Sequence, residues 1–386
     1  MANIYALLIG INNYPVKPLS GCINDVAAMK ACLEKLYENL PESRLHIKHL
    51  TDEGEEQPTR ANIIKAFDFF QVAKPGDECL FYFSGHGSST VAPLIFQSSS
   101  NELQSLVCID SRSPGGLDLM DKELGFLIWK TTQTNKGIFF TAITDCCHSG
   151  TITKSLQGIG GVTERLLGGS LAHIPVNIEN YLGYGTQIDG IEAYDITERC
   201  GQPYVRTATG NHYHLSASRD YQTAKELPIN QGAVQGAFTH CLIQRLYGNG
   251  GLVSYRKLID DTTVFVKNRV SEQSPSLNTY GGEGLSEQRT FMGQSTAAPA
   301  TAFELSYSTK NGEGWNINGG ALHGIHPGDE ILTSSGIRST VVSAIGPERS
   351  AVRPDLAFGA TGQVYPVSIQ RKADERYTVS IRSGTG

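Results

Sequence analysis

Two short stretches carry side chains that could do covalent chemistry. Asp145-Cys146-Cys147-His148-Ser149-Gly150 closes the apolar run KGIFFTAITD, and Ser84-Gly85-His86-Gly87 closes DECLFYFSG. A thiol becomes a strong nucleophile when an imidazole lies within hydrogen-bond reach and the surroundings favour thiolate. His86 and the cysteine pair are far apart in the chain, yet each follows a segment that reads as a buried strand, and one sheet would bring them together. By residue type alone either Cys146 or Cys147 could serve, and a free cysteine in an apolar segment is by default a buried, inert thiol. A redox couple of the two is disfavoured, because adjacent residues of a strand face opposite ways and a vicinal disulfide needs a strained turn.

The elements that must position these groups follow from periodicity. YALLIGI (5–11), HIKHLTD (46–52), DECLFYFSG (77–85), SLVCID (105–110), KGIFFTAITD (136–145) and NHYHLSASRD (211–220) read as strands. Between and after them, 24–37, 59–73, a stretch near 121–131, 237–248 and 254–270 carry apolar residues at helical spacing, with Asn24 or Asp25 and Thr59 as expected N-caps. Alternation of this kind predicts a mainly parallel α/β sheet flanked by helices on both faces. Ligands of such sheets bind outside the carboxyl ends of the strands, where Ser84, His86 and Asp145 to His148 fall. Residues 149–210 lose the periodicity and gain Gly, Thr and Ser, which predicts a long connection without regular elements. STAAPATA (295–302) reads as a linker, and the alternating segments beyond it as a small all-β domain over 303–386.

Composition narrows the function. The chain has 386 residues, 32 basic against 38 acidic, and a net charge of −6, so it offers no basic stripe for nucleic acid. No apolar run reaches the ~20 residues of a membrane span, and the N-terminus lacks a signal-peptide pattern, so the expectation is a cytoplasmic protein with no membrane partner. Eight cysteines are scattered without a CxxC pair, which suits reduced, buried thiols and gives no structural zinc site.

FYFSGHGS (81–88) together with ITDCCHSG (143–150) resembles the caspase-like clan of cysteine peptidases, in its metacaspase and bacterial orthocaspase branch. The resemblance extends to ALLIGINNYP with GCINDVAAM (6–29), LSASRDYQTAKE (215–226) and GAFTHCLIQRL (236–246), and so covers most of residues 1–290. It implies a caspase-like peptidase domain over 1–294, with a large-subunit-like region over 1–150, a linker or insertion over 151–210 and a small-subunit-like region over 211–294. By the D-x-C-H-S-G pattern, Cys147 is the nucleophile and Cys146 fills the variable position as a core residue. His86 is the general base, and the backbone N–H groups of Gly87 and Cys147 are the oxyanion donors.

The same resemblance implies an acidic S1 pocket formed by Asp25 of the C-x-x-D segment and Asp145, with Cys22 and Ser84 beside them. Two carboxylates in a partly desolvated pocket suit a guanidinium, so cleavage after Arg, then Lys, is expected, and not after Asp. Asp25 could instead cap the first helix, Ser84 could be a turn residue, and His148 a structural one. Relatives of this kind are often held as zymogens until the linker after the nucleophile is cut. Lys154 and Arg165 are the expected processing sites, with Arg199 and Arg206 in less loop-like surroundings, and an upstream protease or regulator is the expected partner besides a protein substrate. Calcium-dependent metacaspases carry paired acids where this chain has LMDKEL (119–124). Lys122 takes the second acid's place, so no metal is expected, with Asp110 and Asp121 as the weak calcium candidates and Asp118 and Glu123 near them. A monomer is expected. Two alternatives stand beside this reading: an active peptidase without basic preference, and a catalytically silent caspase-like scaffold that binds or signals.

Overall fold

A computed structural model describes residues 2–39, 41, 44–96, 102–147, 163–168, 173–175, 177–199, 201–219, 222–229, 233–281, 285–293, 303–309, 314–320, 325–333, 337–346, 349–353, 358, 361–362 and 365–371. They fall into two compact units, 1–246 with 251–295, and 247–250 with 296–386. Among the described residues, no helix is long and apolar enough to cross a membrane.

The first unit is built on strands β1 (Ile4–Gly10), β2 (Leu45–Thr51), β3 (Glu78–Ser84), β7 (Phe139–Asp145), β13 (His212–Ser216) and β16 (Ser276–Tyr280). They form one sheet in the order β16-β13-β7-β3-β1-β2, parallel except for the β13–β16 pair. All seven residues of β1 are buried, as a strand covered on both faces requires. Alternation then splits its side chains: Ile4, Ala6 and Leu8 enter one core, and Tyr5, Leu7 and Ile9 the other. Helices α1 (Cys22–Leu36), α4 (Ala237–Gly248) and α5 (Tyr255–Arg269) pack into the first core, and α2 (Arg60–Ala66) and α3 (Asp121–Thr134) into the second. This is the expected doubly covered sheet. Register aligns Gly10 with Ser84 and Ser84 with Asp145, so the ends of β1, β3 and β7 lie side by side. A Cβ on Gly10 would lie 2.8 Å from the Cys22 carbonyl oxygen, so only glycine lets the first turn of α1 come this close to the sheet.

Four expectations are corrected. SLVCID is no member of the main sheet: β5 (Glu102–Leu106) pairs antiparallel with β4 (Gly87–Val91) and β6 (Leu119–Met120), because the chain reverses after His86 into a small separate sheet. The helix expected over 59–73 starts at its Thr59 cap but tightens to a 3-10 helix over Phe67–Val72. α1 begins at Cys22 with Gly21 as N-cap, and Asn12 Oδ1 accepts the Cys22 amide, which leaves Asp25 free for other partners. The 149–210 stretch is not without elements: β8 (Thr163–Glu164), the hairpin of β9 (Gln187–Ile188) with β10 (Ile191–Glu192), and the hairpin of β11 (Tyr194–Arg199) with β12 (Gln202–Thr207) lie in it. β8, β9 and β10 have two residues each, too few for a periodic signal, and β11 and β12 are largely polar and exposed and so show no apolar run. β8 in turn pairs with β14 (Lys225–Pro228), whose other neighbour is β15 (Val234–Gly236).

In the second unit, β17 (Phe303–Ser308), β18 (Gly314–Ile317), β19 (Glu330–Thr333), β20 (Arg338–Gly346), β21 (Arg349–Val352) and β22 (Tyr365–Arg371) close into a barrel. Its filling includes Phe303, Leu305, Trp315, Ile317, Ile331, Val341 and Phe358. The expected small all-β region is thus a closed barrel, which hides the strand edges that an open sheet would expose.

Candidate active site

His86 follows the end of β3 and is buried. Its Nε2 donates to the Lys17 carbonyl at 2.7 Å, while Nδ1 has no hydrogen-bond partner among the described residues. With the proton held on Nε2, Nδ1 keeps a lone pair and can act as a base. The Tyr14 ring packs on the imidazole at 4.6 Å, and its hydroxyl accepts the His86 amide and donates to the Val107 carbonyl. Burial pushes the imidazole down to about 4, so it is neutral at neutral pH.

Cys147 lies two residues beyond the end of β7. Alternation sends Cys146 into the core of α2 and α3 and Cys147 into the core on the opposite face of the sheet. The Cys147 sulfur is 3.1 Å from the Ala224 carbonyl and 2.7 Å from the Ala224 amide. Burial pushes the thiol up to about 12, so it stays protonated at neutral pH.

Between these groups lies a residue of the chain itself. Arg165 is fully buried, and its carbonyl oxygen accepts from the Gly87 amide at 3.1 Å and the Cys147 amide at 3.2 Å. Its guanidinium meets Asp25 at 2.7 Å, Asp145 at 3.1 Å and Glu226 at 3.4 Å, and donates to Ser84 Oγ at 2.8 Å. The Arg165 amide donates to the Ala224 carbonyl, and Thr163 and Glu164 pair antiparallel with Glu226 and Lys225. On the other side, Leu166 bridges Gly87 and the Leu167 amide donates to the Gly87 carbonyl. Residues 163–167 therefore run through the cleft as a short extended strand, with the carbonyl of one arginine at two N–H groups and its side chain among three acids.

The acids are held from several elements. Asp25 accepts from Ser84 Oγ and the Gly236 amide, and Asp145 from the Thr239 amide and hydroxyl. Glu226 accepts the Ser20 and Gly21 amides just ahead of α1. A Cβ on Gly236 would fall 2.2 Å from Asp145 Oδ2 and 2.7 Å from Arg165 Nη1, so glycine is required there. Burial, only partly offset by Arg165, pushes the Asp25 carboxyl up to about 7, and the charge of Asp145 adds to the rise. Cys22 lies beside the group, its thiol raised well above the usual range by burial.

The structure thus brings together His86, Gly87, Cys147, Asp25, Asp145, Ser84 and Cys22, and adds Arg165 as an occupant and not as an exposed loop residue. Asp25 serves this cluster and caps nothing. His148 and Lys154 lie outside the described residues. Arg206 pairs with Asp195 at 2.9 Å on the surface. Sequence reasoning missed Glu226, Ala224, Lys17 and Tyr14. Glu226 gave a faint signal as the acid that closes LSASRDYQTAKE; the others act through backbone or ring contacts that no residue type announces.

The acids named as calcium candidates all accept donors of the chain. Asp110 Oδ1 accepts the Arg60 amide, Asp118 pairs with Arg112 at 2.5 Å, Asp121 with Lys122 at 3.0 Å, and Glu123 with Arg60 at 2.6 Å. Each acid already has a donor from the chain. Among the described residues, no group of three or more His, Cys, Asp or Glu side chains is arranged to hold a metal ion.

A family model of the metacaspase peptidase C14 domain matches residues 5–155. Metacaspase-1A of Aspergillus oryzae is 30% identical over 268 residues, which is 63% of this chain and 60% of that protein. Metacaspase-1 of Emericella nidulans is 29% identical over 298 residues, 71% of this chain and 69% of that protein. The chain thus spans about 60% of the length of the Aspergillus relative. Among solved structures, protein GSU0716 from Geobacter sulfurreducens superimposes with a TM-score of 0.49 at 21% identity, covering 74% of this chain and 96% of that one. With SGHG at the end of β3 and Asp145-Cys146-Cys147 at the end of the neighbouring β7, residues 5–155 match the metacaspase peptidase C14 family model, and the chain is similar to fungal metacaspases.

Proposed function

We propose that the chain is a cysteine endopeptidase that cleaves after arginine and, less well, after lysine, and that residues 163–167 keep it closed until the Arg165–Leu166 bond is cut. One observation carries this reading: Arg165 has its guanidinium among three carboxylates and its carbonyl at two N–H groups at once. A purely structural buried ion cluster would need no such main-chain contacts. All of the residues belong to one chain, so a monomer suffices.

In the reaction, Cys147 gives its proton to His86 Nδ1 as sulfur attacks the carbonyl carbon, and the negative charge developing on oxygen is held by the Gly87 and Cys147 amides. Collapse breaks the C–N bond, the imidazolium returns the proton to the leaving amine, and water then hydrolyses the thioester to a carboxylate and free Cys147. In the closed form the sulfur is turned to Ala224, so attack first requires it to swing toward Nδ1. Neutral thiol and neutral imidazole are the resting pair, which keeps the closed form slow.

Specificity follows from shape. The two Nη groups of a guanidinium reach Asp25, Asp145, Glu226 and Ser84 together, whereas a lysine ammonium is one compact point that cannot span them. Activity is proposed to be independent of calcium, because the acids that would bind it are engaged by Arg60, Arg112 and Lys122. The test is hydrolysis of fluorogenic peptides with Arg, Lys, Asp or Ala before the leaving group, with mass spectrometry of the chain for a cut after Arg165. Arg and Lys hydrolysis with that cut, both lost in Cys147→Ala, is the expected result. Hydrolysis without basic preference would overturn the pocket assignment. An intact chain that cleaves nothing would make it a silent scaffold.

A further inference from the structure

Lys17 has a backbone conformation that its sequence position does not favour. Its φ is 56°, in the left-handed region, and the residue before a proline, here Pro18, is restricted further. Such strain persists only where surroundings enforce it and is concentrated at functional sites. Two contacts account for it here. The Lys17 carbonyl accepts from His86 Nε2, and the Lys17 ammonium reaches out 3.1 Å to the carbonyl of Leu166, the residue just past the bond proposed to be cut.

The chain beyond that bond is gripped further. The Leu167 amide donates to the Gly87 carbonyl at 3.0 Å, the Leu166 side chain packs against the core of α1 and α4, and Leu167 is 6% exposed within the core of α2 and α3. Both carbonyl and amide of the leaving side are therefore bound, and both side chains sit against apolar surface. Resting on the peptidase reading above, we infer that Lys17 and Gly87 form a leaving-side subsite that takes peptides with two apolar residues after the basic one. A charge-assisted hydrogen bond to a carbonyl is available only when the leaving group is itself a peptide. Small amide leaving groups offer it nothing.

The experiment compares kcat/KM for an internally quenched peptide with Arg-Leu-Leu at the cut, the same peptide with Arg-Asp-Asp, and an Arg aminomethylcoumarin amide. The full chain, its own cleavage complete, is used as wild type, Lys17→Gly and Lys17→Arg. Glycine adopts the positive φ freely and keeps the carbonyl on His86 while removing the ammonium. Wild type is expected to prefer Leu-Leu over Asp-Asp by about tenfold. The ratio of Leu-Leu peptide to coumarin amide is expected to fall about tenfold in Lys17→Gly and to recover to within about threefold in Lys17→Arg. An unchanged ratio, with peptide and amide affected equally, would reduce Lys17 to a support for His86 and overturn the inference while leaving the peptidase reading intact. Absence of preference in wild type, which needs no variant to fold, would overturn it too. Failure of wild type to cleave any of the three would remove the reading beneath it, and the inference with it.

Discussion

At the strand ends, three carboxylates surround one guanidinium, and that guanidinium arrives on a short stretch paired to β14. At the start of α3, acids are met instead by Arg60 at the first turn of α2, Arg112 in the preceding turn and Lys122 in α3 itself. Both regions bury negative charge that only a cation can make tolerable. In the second, Glu123, Asp118 and Asp121 are each paired with a different cation, and Asp110 takes only the Arg60 amide, whereas in the first a single guanidinium is shared by three acids. In the first, acids are in excess, which no purely structural cluster requires, and the excess suits a place where one arginine can be exchanged for another.

The comparison breaks first at the nucleophile. Cys147→Ala is expected to abolish the cut after Arg165 and to lower peptide hydrolysis by at least about 10³-fold, read from intact mass and initial rates. A cut that survives would mean a different nucleophile or a contaminating protease, and would detach Arg165 from the chemistry altogether.

Removing each cation tests permanence against exchange. Arg112→Gln strands Asp118, whose side chain is 3% exposed, and is expected to cost about 3 kcal/mol of unfolding free energy in denaturant titration. Arg165→Gln is expected to cost less, because residues 163–167 can leave the cleft and let water reach the acids. It should also open the cleft to added Arg peptides without a prior cut. Equal losses of stability, with no gain of access, would make Arg165 a structural residue like Arg112.

Titration sharpens the same point. Asp25 has its carboxyl pushed up to about 7 by burial, so the folded state binds its proton more tightly than the unfolded chain does. Its stabilising contribution is complete below about pH 4 and is lost as pH rises to 7. His86, pushed down to about 4, works the other way and gains stability between pH 4 and 6.5. Wild-type stability relative to Asp25→Asn is therefore expected to be larger at about pH 5 than at about pH 7.5, by a few kcal/mol at most. A flat difference would mean that Asp25 stays ionised, fully neutralised by Arg165. In hydrolysis, Glu226→Gln keeps an acceptor for the Ser20 amide but loses charge, and about a tenfold fall in kcat/KM for Arg peptides is expected.

Much of this arrangement was legible beforehand, and the reason is period. β1, β3 and β7 are continuous apolar runs and α4 spans the predicted 237–248, so the positions of Ser84, His86 and Asp145 at strand ends followed from pattern alone. The residues that escaped notice act through groups that every residue has. Ala224 contributes its backbone, Lys17 a carbonyl in an unfavoured conformation, and Gly236 its lack of a Cβ. Arg165 was legible as a basic residue in a loop-like stretch, but its placement depends on Thr163 and Glu164 pairing with Glu226 and Lys225 far along the chain, through a two-residue β8 too short to show any alternation. Asp25 was legible as an acid in two possible roles. The choice between them rested on Asn12 capping α1 in its place, a contact across a loop.

Calcium is expected to matter least. Wild-type hydrolysis of an Arg peptide is expected to change by less than about twofold between millimolar calcium and excess chelator, since a hard cation would have to displace Lys122 from Asp121 and Arg112 from Asp118. Lys122→Asp removes one of those cations and adds a carboxylate beside Asp121. If the start of α3 is a calcium region closed by its own lysine, that variant should gain a calcium-dependent rise in melting temperature that wild type lacks. Should wild type itself require calcium, the cations near α3 would be as exchangeable as Arg165, and the contrast between a permanent and a replaceable neutralising charge would have to be given up.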